Sequence, residues 1–540
     1  MKAARSIAVF LALLALQLLI FGRSLKGVGF YLDDWNMLNT LSAAPHDLFG
    51  MIGYYLTHDP KVSIRPFQAV YQSVLFLAFH LNPLGYHVFN AAVEWLCSCL
   101  MYVCLTRVTN SRAVAFIAAA LYVCYPVHDS THYWVLCHAV NLSLALYLGS
   151  LWCALKWCDT RRVALLVAMF GLFTVSVFNY ETLLPLSLFT AACVYFERGW
   201  KPAAGIFGLH VGSAAALMAY QRFIVPMFAN AWLHAMHADA GQIAKTVATG
   251  TVITSPFAVL PFGAEQIAKF VADLSAKDFA SLGVAALICA VAVVLLTKRD
   301  TVVEAKRTFA LGAMLVLASF SIFGLNAEYN PTLVTIVNRI NTGASIGWCL
   351  LAATAIVWAI RKQPRWQYPA ALVTAAAVAF FALTDWSMAQ PWVVSWTMQH
   401  RIFQIAQANG RDFDSTRPVI LLNCPRYVMW SPVFDGVWDF QSMLQLATAN
   451  RELHGNVVSE RLEVTPTGLR DISAGFECGK YPFDNLQVLE PPNGKLIRVQ
   501  SAEQFVSLVA PTAGKFGPSN EVVAQWRQNL ISVKPRGAAL

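Results

Sequence analysis

Charge is what this 540-residue sequence has least of: 13% of its residues are Asp, Glu, Lys or Arg, against roughly 25% in ordinary soluble domains. With 57% apolar residues, the shortage excludes a disordered chain and argues against a wholly soluble enzyme. No repeat of roughly 20–50 residues is visible, which sets aside solenoids and propellers. No Asn-x-Ser/Thr sequon with x other than Pro occurs in the polar loops or the C-terminal part, which favours a bacterial chain over one of the secretory pathway. The net charge is +9, and it is unevenly placed: residues 1–386 hold 25 basic and 17 acidic groups, residues 387–540 hold 14 and 13. The surplus belongs to the hydrophobic part. That speaks against a nucleic-acid partner and for membrane topology.

Long apolar runs are abundant. Eleven segments are candidate membrane spans: 5–22, 84–106, 112–126, 138–156, 163–179, 182–196, 203–221, 279–297, 307–325, 342–360 and 367–386. The first resembles a signal peptide, with Lys2 and Arg5 before its apolar run, but lacks a small-x-small site before Arg23 and is followed by ten more spans. It is read as a retained helix. With a cytoplasmic N-terminus, the inner loops carry 16 basic residues and the longer outer loops nine, as the positive-inside rule requires. The expected fold is a polytopic α-helical membrane protein of about 11 transmembrane helices over residues 1–386, with outer loops 23–83 and 222–278. Residues 387–540 form a small extracytoplasmic α/β or α+β domain, with strands at Arg417–Asn423 and Gly494–Gln500 and a helix at Phe440–Arg451. Ten of the twelve cysteines lie in or beside spans as small apolar residues, while Cys424 and Cys478 have the opportunity to pair in an oxidising compartment.

This topology puts the scarce polar groups on one side. The first outer loop opens with Asp33 and Asp34, framed by Phe30, Tyr31 and Trp35, and closes with Arg65-Pro66. Neighbouring carboxylates repel, which raises one pKa unless a cation intervenes, and such a pair suits a general base beside a metal or a hydrogen-bond partner. It equally suits a solvated helix cap. His87, Asn90 and Glu94 share one face of the second span. Glu94 lies about 10 Å below His87 and is read first as a hydrogen-bond partner for another helix. His128, Asp129 and His132 can hold a divalent metal or contact substrate; His234 and His237, in the amphipathic 222–278 segment, carry a weaker signal. Glu181, the run Asn326, Glu328 and Asn330, and then Asn338, Arg339 and Asn341 complete the set. Arg65 and Arg339 are candidate ligands for a lipid phosphate, or arginines that snorkel to headgroups.

In order and spacing these motifs resemble the GT-C superfamily of membrane glycosyltransferases, which use polyprenyl-phosphate-linked sugars. The nearest likeness is to the membrane half of the tetratricopeptide-bearing O-mannosyltransferases and their bacterial relatives. The pattern is Asp33-Asp34, Arg65-Pro66, Gly85-Tyr86-His87 with Asn90, Pro126-Val127-His128 through Trp134-Val135, Tyr180-Glu181 and, more loosely, Asn338-Arg339 with Gly343. It covers residues 25–200 and, more faintly, 320–350. The chain departs from the pattern where the family has an acidic residue, an Arg and a Lys: here these are Ser130, His138 and Tyr180. Tetratricopeptide repeats are absent.

The resemblance implies an inverting sugar transfer from a polyprenyl-phosphate donor to a glycan, lipid or protein acceptor at the outer membrane face. It implies Asp33 as base, with Asp34 as metal ligand or orienting partner, the two being interchangeable. Arg339, then Arg65, would meet the lipid phosphate. His87, His128, His132 and Glu181 would shape the donor pocket, and Asp34 and His128 would hold a divalent metal if one is used. Two other classes stay open: a transporter or flippase of lipid-linked sugars, and a non-catalytic membrane assembly protein.

Overall fold

The computed structural model describes residues 2–229, 239–298, 304–326, 329–473, 476–491, 494–515 and 518–533. His234, His237 and Glu328 lie outside the described residues. The chain divides into two compact units, Met1–Val28 with Ala44–Gln390, and Gly29–Ala43 with Pro391–Leu540.

The first unit is helical. Seven helices among the described residues are long and apolar enough to cross a membrane: Pro83–Thr109, Val135–Thr160, Trp200–Met227, Ala276–Thr297, Ala305–Leu325, Ile336–Lys362 and Pro364–Ala408. The chain is thus a multi-pass membrane protein. Ala240–Ile253 and Pro256–Asp273 pass the same test together, bent by 52°, and add an eighth crossing if they form one span. That pair falls where an interfacial loop is expected. Among the described residues these seven or eight long helices compare with the eleven apolar runs of the sequence. Ser6–Phe21, Arg112–Val123 and Val163–Asn179 are apolar but short. The expected span 182–196 is interrupted, because the 3-10 turn Glu181–Leu186, with Pro185 inside it, precedes the helix Ser187–Arg198; proline removes a helix donor and crowds the preceding turn. The last helix runs from Gln367 to Ala408, past residue 386.

Local chemistry sets these ends. Asn82 accepts a hydrogen bond from the Leu84 N–H and Pro83 occupies the first helical position, so the helix Pro83–Thr109 starts there. It stops at Asn110, which is left-handed at φ 52°, and Ser111 caps the next helix through the Val114 N–H. Between helices, polar pairs replace the hydrophobic drive that lipid does not supply. Ser143 and Ser176 exchange reciprocal bonds to each other's carbonyl, at 2.9 and 2.8 Å. Asn179 donates to the Ala139 carbonyl and the Ser143 hydroxyl. Elsewhere helices meet through glycine: a Cβ on Gly347 would lie 2.8 Å from the Gly312 carbonyl oxygen and 2.7 Å from Val316.

The second unit carries two main sheets and their flanking helices. Gly455–Val457, Val419–Leu421 and Leu486–Glu490 pair in parallel, and Lys495–Val499 joins the last antiparallel. Leu462–Val464, Gly468–Ser473 and Phe476–Pro482 form an antiparallel meander. The expected strands and the helix, here Val437–Thr448, are all present, and the mixed sheet satisfies the α/β or α+β reading. The core joins Ile420 and Val488 of the sheet to Phe505 and Trp526 of the final helices. Cys424 is buried and Cys478 exposed, and no disulfide joins them.

Substituting Gly347→Val should overpack the contact with Gly312 and lower the thermal unfolding midpoint in detergent by several degrees, equivalent to about 1–3 kcal/mol. Gly208→Ala, where a Cβ meets nothing within 4 Å, should leave it unchanged or slightly raised. Equal midpoints for the two variants would contradict the close helix approach.

Candidate active site

Three turns of the first unit deliver the site's charged groups. Arg65 precedes the helix Pro66–Phe79, Glu181 opens the turn Glu181–Leu186, and Arg339 sits in the turn Ile336–Asn341. Arg65 grips Glu181 with two parallel bonds, Nε to Oε2 at 2.8 Å and Nη2 to Oε1 at 2.5 Å. Its guanidinium also lies 4.5 Å over the Tyr180 ring. Arg339 Nε donates to the same tyrosine's hydroxyl at 2.9 Å and Nη1 to the Ile336 carbonyl, with Trp134 and Tyr329 5.5 and 5.8 Å away. Burial pushes the Glu181 carboxyl up, but Arg65 outweighs it and holds the group below its ordinary range. Burial likewise works against the Arg65 charge, and Glu181 more than restores it. Among the described residues no carboxylate pairs with Arg339. Among the described residues two guanidiniums therefore share one carboxylate, a positive excess suited to an anion.

The turn that starts at Glu181 continues along an apolar groove. Leu184, Pro185, Leu188, Phe207, Ile322 and Leu325 line a cavity of about 320 Å3. His210 lies in the same groove, buried and stacked 3.8 Å from Phe173.

A second set of contacts ties the His128 segment to the Arg339 segment. Asn338 donates to Asp129 and accepts from the Ser130 N–H and hydroxyl, the last at 2.7 Å. Asn341 donates to the carbonyls of Val127 and Thr332, both at 2.8 Å. Thr335, at φ 91°, holds the backbone in the left-handed region just before the arginine turn. His128 is buried, 5.2 Å from Tyr122 and 5.0 Å from His132. Burial, and then His132, push its imidazole well below the usual histidine range, so it is neutral.

His132 belongs to a third cluster. Its Nδ1 lies 2.6 Å from Glu94 Oε1, which also accepts from Asn90 and Asn141, each at 2.9 Å; Gln17 donates to Oε2. Glu94 is thus the hydrogen-bond hub between helices that its position predicts. Cavities of about 10 Å3, water-sized, flank it on two sides. His87 lines the first of these and meets His138 edge-on at 5.2 Å.

The acidic pair belongs to the second unit. Asp33 begins the helix Asp33–Ala43 and is half-buried; Asp34 is fully buried and accepts the Tyr31 N–H at 2.9 Å. Leu32, immediately before, is left-handed at φ 48°, a strained conformation for a bulky residue. The flanking aromatics are buried, not interfacial: Tyr31 donates to the Trp392 carbonyl, and Trp35 donates to Gln399 while stacking between Trp396 and Phe403.

Among the described residues no group of three or more His, Cys, Asp or Glu side chains is arranged to hold a metal ion. Neither Asp34 nor His128 belongs to such a group. Three polar groups of these clusters receive no role from the sequence. Tyr180 stands there only as a departure from the family pattern. Asn338 was noted without a role. Asp385, 1% exposed with an unpartnered Oδ2, ends the expected last span; an intramembrane carboxylate was the signal available for it.

No protein-family model matches the chain. Protein O-mannosyl-transferase TMTC1 of Homo sapiens is 27% identical over 192 residues, 34% of this chain and 21% of that protein. The chain thus spans about a fifth of the curated relative's length. The crystal structure of ArnT from Cupriavidus metallidurans bound to undecaprenyl phosphate superposes with a TM-score of 0.37 at 13% identity, over 84% of this chain and 89% of that one. The likeness to membrane O-mannosyltransferases carried by the motif series is borne out by the curated relative.

Glu181 has a depressed pKa in the fold, so its contribution to stability is full above the ordinary value of about 4.5 and declines as pH falls through the lower, folded value. The difference in thermal midpoint between wild type and Glu181→Gln should be constant above that pH and narrow below it. Arg65→Lys, which keeps the charge but loses the fork and the ring contact, should destabilise as well. A pH-independent difference would show that Glu181 is not held ionised by Arg65.

Proposed function

We propose that the protein is a GT-C-type membrane glycosyltransferase that moves a sugar from a polyprenyl phosphate to an acceptor at the extracytoplasmic face of a bacterial inner membrane. The observation that carries this reading is the Arg65–Glu181–Tyr180–Arg339 cluster, with its positive excess among the described residues, joined through the turn Glu181–Leu186 to residues that line an apolar groove. A lipid phosphate needs both halves: a cationic seat for the head and an apolar channel for the chain. The curated relative, an O-mannosyl-transferase, supports the transfer of a sugar.

In the proposed reaction the acceptor hydroxyl attacks the sugar's anomeric carbon and the bond from that carbon to the phosphate oxygen breaks. The acceptor proton passes to Asp33, and the negative charge leaves on the polyprenyl phosphate, where Arg339 stabilises it. Attack opposite the leaving group inverts the anomeric centre. Asp33 is assigned the base because it is the more exposed of the pair, while Asp34 is committed to the Tyr31 backbone. Arg65 and Glu181 position Tyr180, and through it Arg339. His87, His128 and His132 line the polar side of the donor pocket. The N-terminus is cytoplasmic and the second unit extracytoplasmic in this reading.

Asp33→Asn should lower sugar transfer from lipid-linked donors by about 10²–10⁴-fold in purified, normally expressed protein. Arg339→Gln should raise the donor KM more than it lowers kcat. Full transfer by both Asp33→Asn and Asp34→Asn would end the catalytic reading. Translocation of lipid-linked sugar in proteoliposomes without product would favour a flippase instead.

A further inference from the structure

The second unit contains a polar cluster that the proposed transfer does not use. The neighbouring parallel strands Val419–Leu421 and Gly455–Val457 release the chain at the same sheet edge. In open α/β sheets ligands bind outside the carboxyl ends of such strands. The first exit leads past Arg426 into the short hairpin Tyr427–Val428 and Ser431–Pro432, then to Asp435; the second leads within four residues to Arg461. Both arginines close on Asp435. Arg426 Nη2 donates to Oδ1, and Arg461 donates to Oδ2 at 3.2 Å and to the Asp435 carbonyl at 3.3 Å.

Each guanidinium also faces an aromatic ring, Arg426 over Tyr427 at 5.7 Å and Arg461 over Trp438 at 5.3 Å. The other nearby carboxylate, Asp439, is turned to the backbone, accepting the N–H groups of Asp435, Gly436 and Phe440. One carboxylate thus stands between two cations that remain 25% and 31% exposed. Three buried donors in and just before this hairpin find no acceptor among the described residues: Arg426 Nε, Trp430 Nε1 and Ser431 Oγ. Leaving a buried donor unsatisfied costs about 1–3 kcal/mol, so their concentration here marks a place built for an added acceptor.

We propose that this sheet edge binds an acidic saccharide, with its carboxylate or phosphate on Arg426 and Arg461 and a sugar face against Trp438. The paired forks suit a planar or tetrahedral anion. A half-buried indole beside them offers the apolar surface that a pyranose ring's C–H face needs. The inference deepens the transferase reading, on which it rests for the site's use, by naming an acidic glycan as the acceptor class.

Calorimetric titration of the full-length protein in detergent, with no donor lipid present, tests binding separately from transfer. Tetragalacturonate and mannose 6-phosphate serve as carboxylate and phosphate probes, and maltotetraose as the neutral control. At least one acidic probe should bind at least ten-fold more tightly than maltotetraose, and its affinity should fall with added salt. Arg461→Gln should weaken it ten-fold or more, Arg461→Lys less, and Arg498→Gln, exposed on the opposite edge strand Lys495–Val499, not at all. Should Arg461→Gln fail to fold, the probe comparison and salt dependence in wild type decide the matter. Equal affinity for acidic and neutral probes, no binding of any, or wild-type affinity in a folded Arg461→Gln protein would overturn the proposal. Lost transfer with acidic-probe binding intact would count against the transferase reading, not against the site.

Discussion

The fork between Arg65 and Glu181 is the contact on which the candidate site depends. Taking a guanidinium and a carboxylate out of water costs several kcal/mol per ion, recovered only with good geometry and further hydrogen bonds. Here the geometry is bidentate, and Tyr180 lies against the guanidinium face. With Arg65 satisfied by Glu181, Tyr180 is fixed from one side and its hydroxyl is presented to Arg339. Arg339 is then held by a phenol, a carbonyl and aromatic rings, none of which neutralises it. Among the described residues the one carboxylate engages the positioning arginine, and the other cation's charge is left for a ligand.

The turns that present these residues are steadied by a different chemistry. Asn338 and Asn341 stitch the arginine turn to the segment 127–130 through side-chain amides, which can donate and accept without adding charge. Deeper in, Glu94 gathers Gln17, Asn90, Asn141 and His132, so a carboxylate and three amides join helices from distant parts of the sequence. Amides and hydroxyls suit this task because a bilayer gives apolar side chains no reason to prefer one helix over lipid. Directional bonds between helices do. The reciprocal Ser143–Ser176 pair and the Gly312–Gly347 approach serve the same end where no charge is available.

Much of this was legible in the sequence, and what was not has identifiable causes. Hydropathy located the long helices because length and apolarity are the properties a bilayer selects. Its eleven runs exceed the seven or eight long helices among the described residues where apolar helices stop short, as at Arg112–Val123, and where Pro185 breaks a run whose average hydropathy stays high. The pair Ala240–Ile253 and Pro256–Asp273 reads as an interfacial segment in the sequence, and its 52° bend is what divides it into two shorter helices. The soluble strands and helix emerged because apolar runs bounded by Pro, Gly and Asn are read locally. Motif order singled out Arg65, Glu181 and Arg339, but spacing along a chain cannot pair residues 116 or 159 positions apart. Nor could it anticipate that Asp34 would be spent on the Tyr31 backbone and Trp35 on Gln399.

Tyr180 shows why a departure from a family pattern can inform more than agreement. Where the resembled family has Lys before Glu, this chain has a phenol, and the structure sets it between Arg65 and Arg339. A lysine there would add a third cation to a half-buried cluster that holds one carboxylate among the described residues. At an effective dielectric of about 20, unit charges about 6 Å apart repel by roughly 3 kcal/mol, and Arg339 would lose an acceptor besides. The phenol removes that repulsion and supplies a hydrogen-bond acceptor to one arginine and a ring face to the other. The cost is one positive charge fewer for an anionic ligand, so Arg339 has to carry more of the ligand's charge here than it would beside a lysine.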